Sequence, residues 1–400
     1  MSSHLIEPNP NTPETNISLH IGMVGAGQLA RMSHQASIPL GVDLSVLAAH
    51  ADDSAALISP RVTIGSPHSA RDLIGFAAGA EVITVDHELV NLEAIAQIEA
   101  EQSAHVRPSS AALKFATDKA HQRRLFAQAS LPLPKHSIVN HPGEAKTALA
   151  ELGWQGVIKT ARGGYDGRGV WLVNSEAEAT ALLEEFSNET TAFPELIVEE
   201  IVPLVKELAV IVVRGANGMS VTYPVTETVQ VSGICRETIT PAVVSPEIAA
   251  EAVRVSVAAA QVVDAVGLTA VELFFDGTNI TINEVATRPH NSGHWSIEGA
   301  ITSQFENHLR AVADLPLGAT SCRAPYVVSC NILGHSTGLD PRQQLPQALG
   351  ISGAHVHLYG KEPKPGRKIG HVTTMSDSLE DAQARARRAV GFLGDAVPLP

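Results

Sequence analysis

The stretch AVELFFDGTNITINEVATRPHNSGHW, Ala270 to Trp295, sets two strand-like runs around DGTN and then opens into a crowded polar segment. Asp276 to Asn279 suit a hairpin turn, so Glu272 and Glu284 are expected side by side on neighbouring strands. Two carboxylates so placed repel unless a cation lies between them. Mg²⁺ takes oxygen ligands and completes its shell with water and phosphate oxygens, which suits this pair, with Asn283 as a further oxygen. The alternative is that one acid faces solvent. Arg288, His290, Asn291 and His294 follow, and such groups resist burial unless paired or bound to something. The planar guanidinium of Arg288 is suited to hold a bicarbonate or phosphoryl group through two parallel hydrogen bonds. Zinc held by the histidines is disfavoured, because HNSGH has loop residues rather than i, i+4 helical spacing and no third ligand is evident.

Upstream, Lys159 ends the strand-like GVIKT directly before ARGGYDGRG, Ala161 to Gly169, with four glycines among nine residues. Glycines free backbone N–H groups to converge on anionic oxygens, and Arg162 and Arg168 add charge, so the segment reads as a phosphate-covering loop. No GKS or GKT is present, which disfavours the P-loop class. A flexible hairpin tip is the plainer reading. VEEIV, Val198 to Val202, is an apolar run turning into a linker, able to offer backbone groups to an adenine edge, with Glu207 placed to hold ribose hydroxyls. An edge strand with its acids in water is the alternative.

Before these, HIGMVG, AGQLARMSHQA, VDLSVLA and EVITVD alternate strand and helix patterns, which argues for a parallel sheet. The turn GAGQLA from Gly25 matches the dinucleotide fingerprint, with Asp43 near the position of a ribose-binding acid. Alone the motif is weak, and a packing turn or a single-phosphate site competes with a nicotinamide cofactor. Residues 111 to 129 are expected to form one helix, whose Asp118, Lys119, Arg123 and Arg124 read as a solvated face. Further helices are expected over 247 to 266 and 378 to 392.

The 28 Lys plus Arg against 42 Asp plus Glu give a net charge of -14, which opposes attraction to nucleic acid or an anionic membrane. Three cysteines form no CxxC pair and suit a reducing cytoplasm. No run approaches the ~18 apolar residues of a membrane span, and the first 18 residues lack the features of a secretory signal.

Taken together, GAGQLARM, GGYDGRG, VEEIVPLVKEL, VELFF, NEVATRPHNSGHW, SQFENHLRA and LYGKEPKPGRKIGH resemble the N5-carboxyaminoimidazole ribonucleotide synthase family of ATP-grasp ligases. The resemblance implies α/β and α+β architecture. A disordered tail over 1–18 would precede a Rossmann-like pre-ATP-grasp domain over 19–110. The ATP-grasp small lobe would cover 111–200, the large lobe 201–320, and a C-terminal domain contributing to the substrate site 321–400. The implied substrates are ATP, bicarbonate and 5-aminoimidazole ribonucleotide. ATP would be held by Lys119, Lys159, the loop Gly163, Gly164, Tyr165, Asp166, Gly167, Arg168 and Gly169, the hinge Glu199, Glu200, Ile201 and Val202, and by Glu207, Gln230, Asn283 and Glu284.

Glu272 and Glu284 would bind two Mg²⁺ ions, or Mn²⁺ in their place. Gln28, Tyr165, Asp166, Arg168, Arg288, His290, Asn291, Lys361, Arg367 and Lys368 would surround the ribonucleotide and the transferred carboxylate. Catalytic roles fall on Arg288, Asp166 and His290, with Asp166 either taking the amine proton or orienting it. A cytoplasmic homodimer is implied as well. One departure matters: where the family often has ENxHxxGI this chain reads ETVQVSGI, so Thr228 and Gln230 replace Asn and His. Gln230 still donates to a phosphate or ribose oxygen, but it carries no proton. The competing readings are another ATP-grasp carboxylate–amine ligase, an NAD(P)-dependent oxidoreductase and a non-catalytic nucleotide-binding module.

Overall fold

A computed structural model describes residues 19–163, 169–189 and 193–396. The expected tail over 1–18 lies outside these residues. The first region runs β1 (His20–Val24), α1 (Gln28–Leu40), β2 (Asp43–Ala48), β3 (Val62–Ile64), α2 (Ala70–Ala77), β4 (Val82–Val85), α3 (Leu92–Glu101) and β5 (His105–Val106). Its strands pair in parallel in the order β3-β2-β1-β4-β5, as the alternating pattern predicts. β4 is VITV, buried at every position, because apolar layers cover both faces of the sheet. Strand order reverses between β1 and β4, so the loops after them meet in a crevice at the carboxyl edge of the sheet.

Where one helix was expected over 111–129 there are two, α4 (Ser110–Thr117) and α5 (Lys119–Gln128). Asp118 breaks them: its backbone is extended at φ −122° and ψ 95°, and its side chain accepts from His121 N as a cap for α5. The small lobe comprises β6 (His136–Val139), α6 (Pro142–Glu151), β7 (Gly156–Thr160), β8 (Val170–Val173), α7 (Glu176–Glu189) and β9 (Leu196–Glu199). Its sheet order is β6-β9-β7-β8, which makes β9 a central strand and not the edge strand considered from sequence.

The large lobe contains β10 (Lys206–Arg214), β11 (Ser220–Thr222), β12 (Thr226–Val231), β13 (Ile234–Thr240), α8 (Pro246–Val263), β14 (Gly267–Phe275), β15 (Ile280–Ala286), α9 (Ser296–Gly299) and α10 (Gln304–Val312). The chain closes with β16 (Tyr326–Leu333), α11 (Leu345–Leu349), β17 (His355–Leu358), β18 (Lys368–Ser376) and α12 (Leu379–Leu393). One nine-stranded sheet runs β15-β14-β10-β12-β13-β16-β18-β17, with β11 beside β10, and therefore continues unbroken past residue 320. α8 starts at a Ser245 cap with Pro246 in its first turn and lays Ala252, Val255, Ala259 and Val263 onto that sheet. Each fully buried Val there stabilises by roughly 1.5 kcal/mol or more. α10 lends Leu309 and Val312 to the core of the first sheet, which fixes the crevice against the large lobe.

Candidate active site

β14 and β15 form the expected hairpin. Asp276 Oδ1 accepts the N–H groups of Thr278 at 2.8 Å and Asn279 at 2.6 Å, which closes the turn. Glu272 pairs in register with Glu284, beside a bulge between Glu272 and Leu273 that re-aims the strand. Lys119 Nζ lies 3.0 Å from Glu284 Oε2, and His290 Nε2 lies 3.2 Å from Glu272 Oε1.

The two acids are not electrostatically equal. Burial, then the neighbouring Glu284 and Glu207, push Glu272 up to about 8. Burial acts most strongly on Glu284 and raises it, but Lys119, with Lys159 behind it, turns the balance and holds that carboxyl below its ordinary value. An acid pushed so far up marks a place short of positive charge. Among the described residues no three His, Cys, Asp or Glu side chains converge as a closed metal cage. The donor set is a pair of carboxylates at an open cleft, which fits a hard cation that takes its remaining ligands from phosphate oxygens and water.

Sequence grouped His290 with the ribonucleotide and bicarbonate, away from the metal pair. In the structure its Nδ1 accepts from Ser292 N at 3.3 Å, which puts the ring proton on Nε2 and aims it at Glu272. Burial, reinforced by Arg288, lowers His290 to about 3, so the ring is neutral at ordinary pH. His294 turns the other way, to Tyr359, and the two histidines share no ligand position.

Lys159, next to last in β7, places Nζ 2.7 Å from Glu199 Oε2 and 3.2 Å from Asn283 Oδ1. The same carboxylate takes Arg123 Nε at 2.6 Å, and Arg123 Nη2 reaches the Asn283 carbonyl at 2.7 Å. Arg123, read from sequence as part of a solvated helix face, is 1% exposed. Its neighbour Arg124 does face outward and pairs with Glu195. Burial alone raises a carboxyl; here Arg123 and Lys159 overcome it together and hold Glu199 down at about 2. The Glu199 side chain therefore points into the lobe junction, and the exposed Ile201 stands at the mouth of the cleft.

These groups line a cleft of about 710 Å³ between the lobes, with Lys119, Lys159, Gly163, Glu199 to Val202, Glu207, Gln230, Glu272, Asn283 and Glu284 on its walls. Gln230 hydrogen-bonds the side chain of Glu207 and so holds the expected ribose acid. Gly164, Tyr165, Asp166, Gly167 and Arg168 lie outside the described residues, and Gly169 begins the return into β8.

A second cavity of about 270 Å³ adjoins the cleft, lined by Gln28, Arg288, His290, Asn291 and Lys368 together with Gly27, Asp86 and His87. Lys361 reaches it through a 2.5 Å bond from Nζ to Gln28 Oε1. Arg367 is exposed and lines neither cavity. His87, Arg288, His290, Asn291 and Lys368 line both spaces, so the two share one wall.

The GAGQLA turn helps form the cavity but is closed to a pyrophosphate. Asp86 Oδ2 accepts Gly27 N at 2.6 Å, and a Cβ on Gly25, at φ +101°, would lie 1.8 Å from Asp86 Oδ1. Asp43 sits at the start of β2, paired with Arg61 and away from the crevice, which removes the ribose-binding acid of a dinucleotide site.

Sequence reasoning missed two acids here. Glu88 accepts Arg288 Nε at 2.7 Å and Thr287 N at 3.1 Å, and thereby ties the first region to the polar loop. Asp86 is buried, and its Oδ1 has no hydrogen-bond partner among the described residues, with His87 Nε2 3.8 Å away. The usable signal was their place in TVDHEL, immediately after a parallel strand at the switch point.

Three family descriptions match successive parts of the chain: the ribonucleotide synthetase preATP-grasp domain over residues 19–117, the ATP-grasp domain over 124–305 and the phosphoribosylaminoimidazole carboxylase C-terminal domain over 328–385. The chain is 41% identical over 381 residues to N5-carboxyaminoimidazole ribonucleotide synthase of Mycobacterium tuberculosis, covering 93% of this chain and 87% of that protein. It belongs to the N5-carboxyaminoimidazole ribonucleotide synthase family. The Corynebacterium ammoniagenes synthase is 38% identical over 98% of this chain and 97% of its own length. Among solved structures, the Thermus thermophilus synthetase superposes with a TM-score of 0.85 at 34% identity, covering 95% of this chain and all of that one. The Aspergillus clavatus synthase in complex with ADP and 5-aminoimidazole ribonucleotide gives 0.85 at 30% identity, over 94% and 98% of the two chains. The chain is thus an ATP-grasp ligase of this family, and the alternative of an oxidoreductase built on GAGQLA falls away. Among the described residues no helix is long and apolar enough to cross a membrane.

Proposed function

We infer that this protein carboxylates 5-aminoimidazole ribonucleotide at the expense of ATP, with bicarbonate as the carbon source, giving N5-carboxyaminoimidazole ribonucleotide, ADP and phosphate in purine biosynthesis. The observation that carries the reading is the wall shared by the two spaces, which lets a group activated in the larger cleft be taken up in the smaller cavity without crossing water. Bicarbonate attacks the γ-phosphate, and the ribonucleotide amine captures the resulting carboxyphosphate or the CO₂ it releases.

Phosphoryl transfer needs positioning and charge neutralisation more than covalent help. Lys159, fixed by Glu199, and Lys119, fixed by Glu284, neutralise phosphate oxygens. Glu199 to Val202 hold adenine through their backbone, and Glu207 holds the ribose with Gln230 behind it. Glu272 and Glu284 would hold Mg²⁺, as two ions or with Mn²⁺ substituting, and the metal would supply neutralisation of charge on the transferring phosphoryl group. Arg288, kept charged by Glu88, orients the bicarbonate. Neutral His290 orients as a hydrogen-bond donor and does not deliver a proton.

The first turn of α1 begins at Gln28 with no side-chain cap, and its free N–H groups with Lys361 suit the ribonucleotide phosphate. Asn291 and Lys368 complete the acceptor side. The family resemblance assigns Gly163 to Gly169 to the ATP phosphates and Tyr165, Asp166 and Arg168 to the ribonucleotide, with Asp166 taking or orienting the amine proton.

The family resemblance also supports the domain limits at 110, 200 and 320, a homodimer and a cytoplasmic setting. The experiment is coupled ADP release with each of the three substrates omitted in turn. Dependence on all three fits the reading, and another amine or carboxylate replacing the ribonucleotide at equal efficiency overturns it.

A further inference from the structure

Beneath the acceptor cavity lies a cluster that the chemistry above does not use. Tyr359 OH sits 2.8 Å from His371 Nδ1 and 3.2 Å from His294 Nδ1, and the three residues are 1%, 0% and 3% exposed. His371 stacks on His294 at 4.9 Å between ring centroids and on His357 at 4.5 Å, and His357 is held by Glu298 at 2.6 Å.

A hydroxyl carries one proton. Tyr359 therefore donates to one imidazole and accepts from the other, which forces the two rings into opposite tautomers. Such an arrangement is directional: it fixes orientation and register where an apolar contact of equal volume would tolerate sliding.

The members come from three parts of the chain. His294 follows the Asn291–Gly293 turn, Tyr359 follows β17, and His371 lies on β18. The first region grips Tyr359 too, since its ring packs on Leu29 and Met32 of α1 and its carbonyl accepts Ser54 Oγ at 2.5 Å. Each member also stands within three residues of a group on the acceptor side: Asn291 before His294, Lys361 after Tyr359 and Lys368 before His371. Over so few residues a displacement of the buried anchor passes to the tip nearly undiminished.

Resting on the carboxylation reading, we propose that the His294–Tyr359–His371 triad is a positioning device that sets the separation of Asn291, Lys361 and Lys368, so that the activated carboxyl group is captured by the ribonucleotide amine and not by water. Its members line neither cavity. Misplacement of an acceptor by about 1 Å can cost up to about a hundredfold in capture while leaving activation on the ATP side intact.

The test is Tyr359→Phe, which removes one oxygen from a buried site, with ADP and carboxylated product counted separately. The expected result is more than one ADP per product and a KM for the ribonucleotide raised about tenfold, with the KM for ATP within about twofold of wild type. His371→Leu should uncouple likewise, and His371→Asn, whose side-chain amide can occupy the Nδ1 position, should restore most of the coupling. A merely structural role would lower Tm and reduce all rates in proportion. One ADP per product in Tyr359→Phe with an unchanged KM for the ribonucleotide overturns the inference, even if His371→Leu fails to fold. Wild-type ADP release indifferent to the ribonucleotide would instead overturn the carboxylation reading, so the two failures show on different samples.

Discussion

Glu272 and Glu284 face one another across the β14–β15 hairpin, yet they answer to different partners: Lys119 Nζ meets Glu284 at 3.0 Å, and His290 Nε2 meets Glu272 at 3.2 Å. Glu284 is thereby held in ionised form beside Lys119. Glu272, pushed up to about 8, is the acid that a cation would draw into ionised form on the proposed metal reading.

Glu284→Gln keeps the shape and removes the charge. It should lower kcat by at least ~10²-fold, roughly 2.7 kcal/mol of barrier, through loss of metal placement at the γ-phosphate. Steady-state ADP release at saturating Mg²⁺ checks this, and near-wild-type turnover would refute the metal assignment.

Glu199→Gln tests the buried junction. It leaves Arg123 and Lys159 without their shared counter-charge, and the expected loss at neutral pH is about 3–5 kcal/mol. The pH dependence has a definite sign, because the folded-state value of about 2 lies below the ordinary 4.5. The contribution of Glu199 is fully present above about pH 4.5 and is lost as pH falls towards 2. Urea unfolding of both proteins at pH 7 and pH 3.5 should show a gap that narrows in acid. A gap independent of pH would contradict the assignment.

Glu88→Ala releases Arg288 from its carboxylate anchor on the wall of the larger cleft while leaving Lys119, Lys159 and their carboxylate partners in place. The expected outcome is a fall in kcat/KM for bicarbonate of about tenfold or more, with the KM for ATP unchanged. Equal losses for both substrates would show that Glu88 serves the fold alone.

Ligand linkage offers a check independent of turnover. ATP with Mg²⁺ at about 100 times its Kd should stabilise the protein by about 2.7 kcal/mol, read as a rise in Tm, and NADH should leave Tm unmoved. Chelating the metal should remove most of the shift.

The hairpin carboxylates, the parallel first sheet and Lys159 before the glycine-rich loop were legible in the sequence, because each rests on local periodicity or turn chemistry. The break at Asp118 was hidden by good helix formers on both sides, and only the Asp118 side-chain cap on α5 reveals it. Arg123 looked like one more surface charge; its burial depends on Glu199, 76 positions away, and no local pattern carries that partnership. Asp86 and Glu88 gain meaning only when β4 lies beside β1 and the loops after them meet Arg288. The orientation of His290 was likewise illegible, since it follows from a contact with Ser292 inside a tight turn.

On the carboxylation reading, ATP activation and amine capture are coupled across the wall formed by His87, Arg288, His290, Asn291 and Lys368. The most direct measurement is ADP release with and without 5-aminoimidazole ribonucleotide at fixed ATP, Mg²⁺ and bicarbonate. The account predicts release that depends strongly on the ribonucleotide, with one ADP per carboxylated product. Equal ADP release in its absence would contradict it.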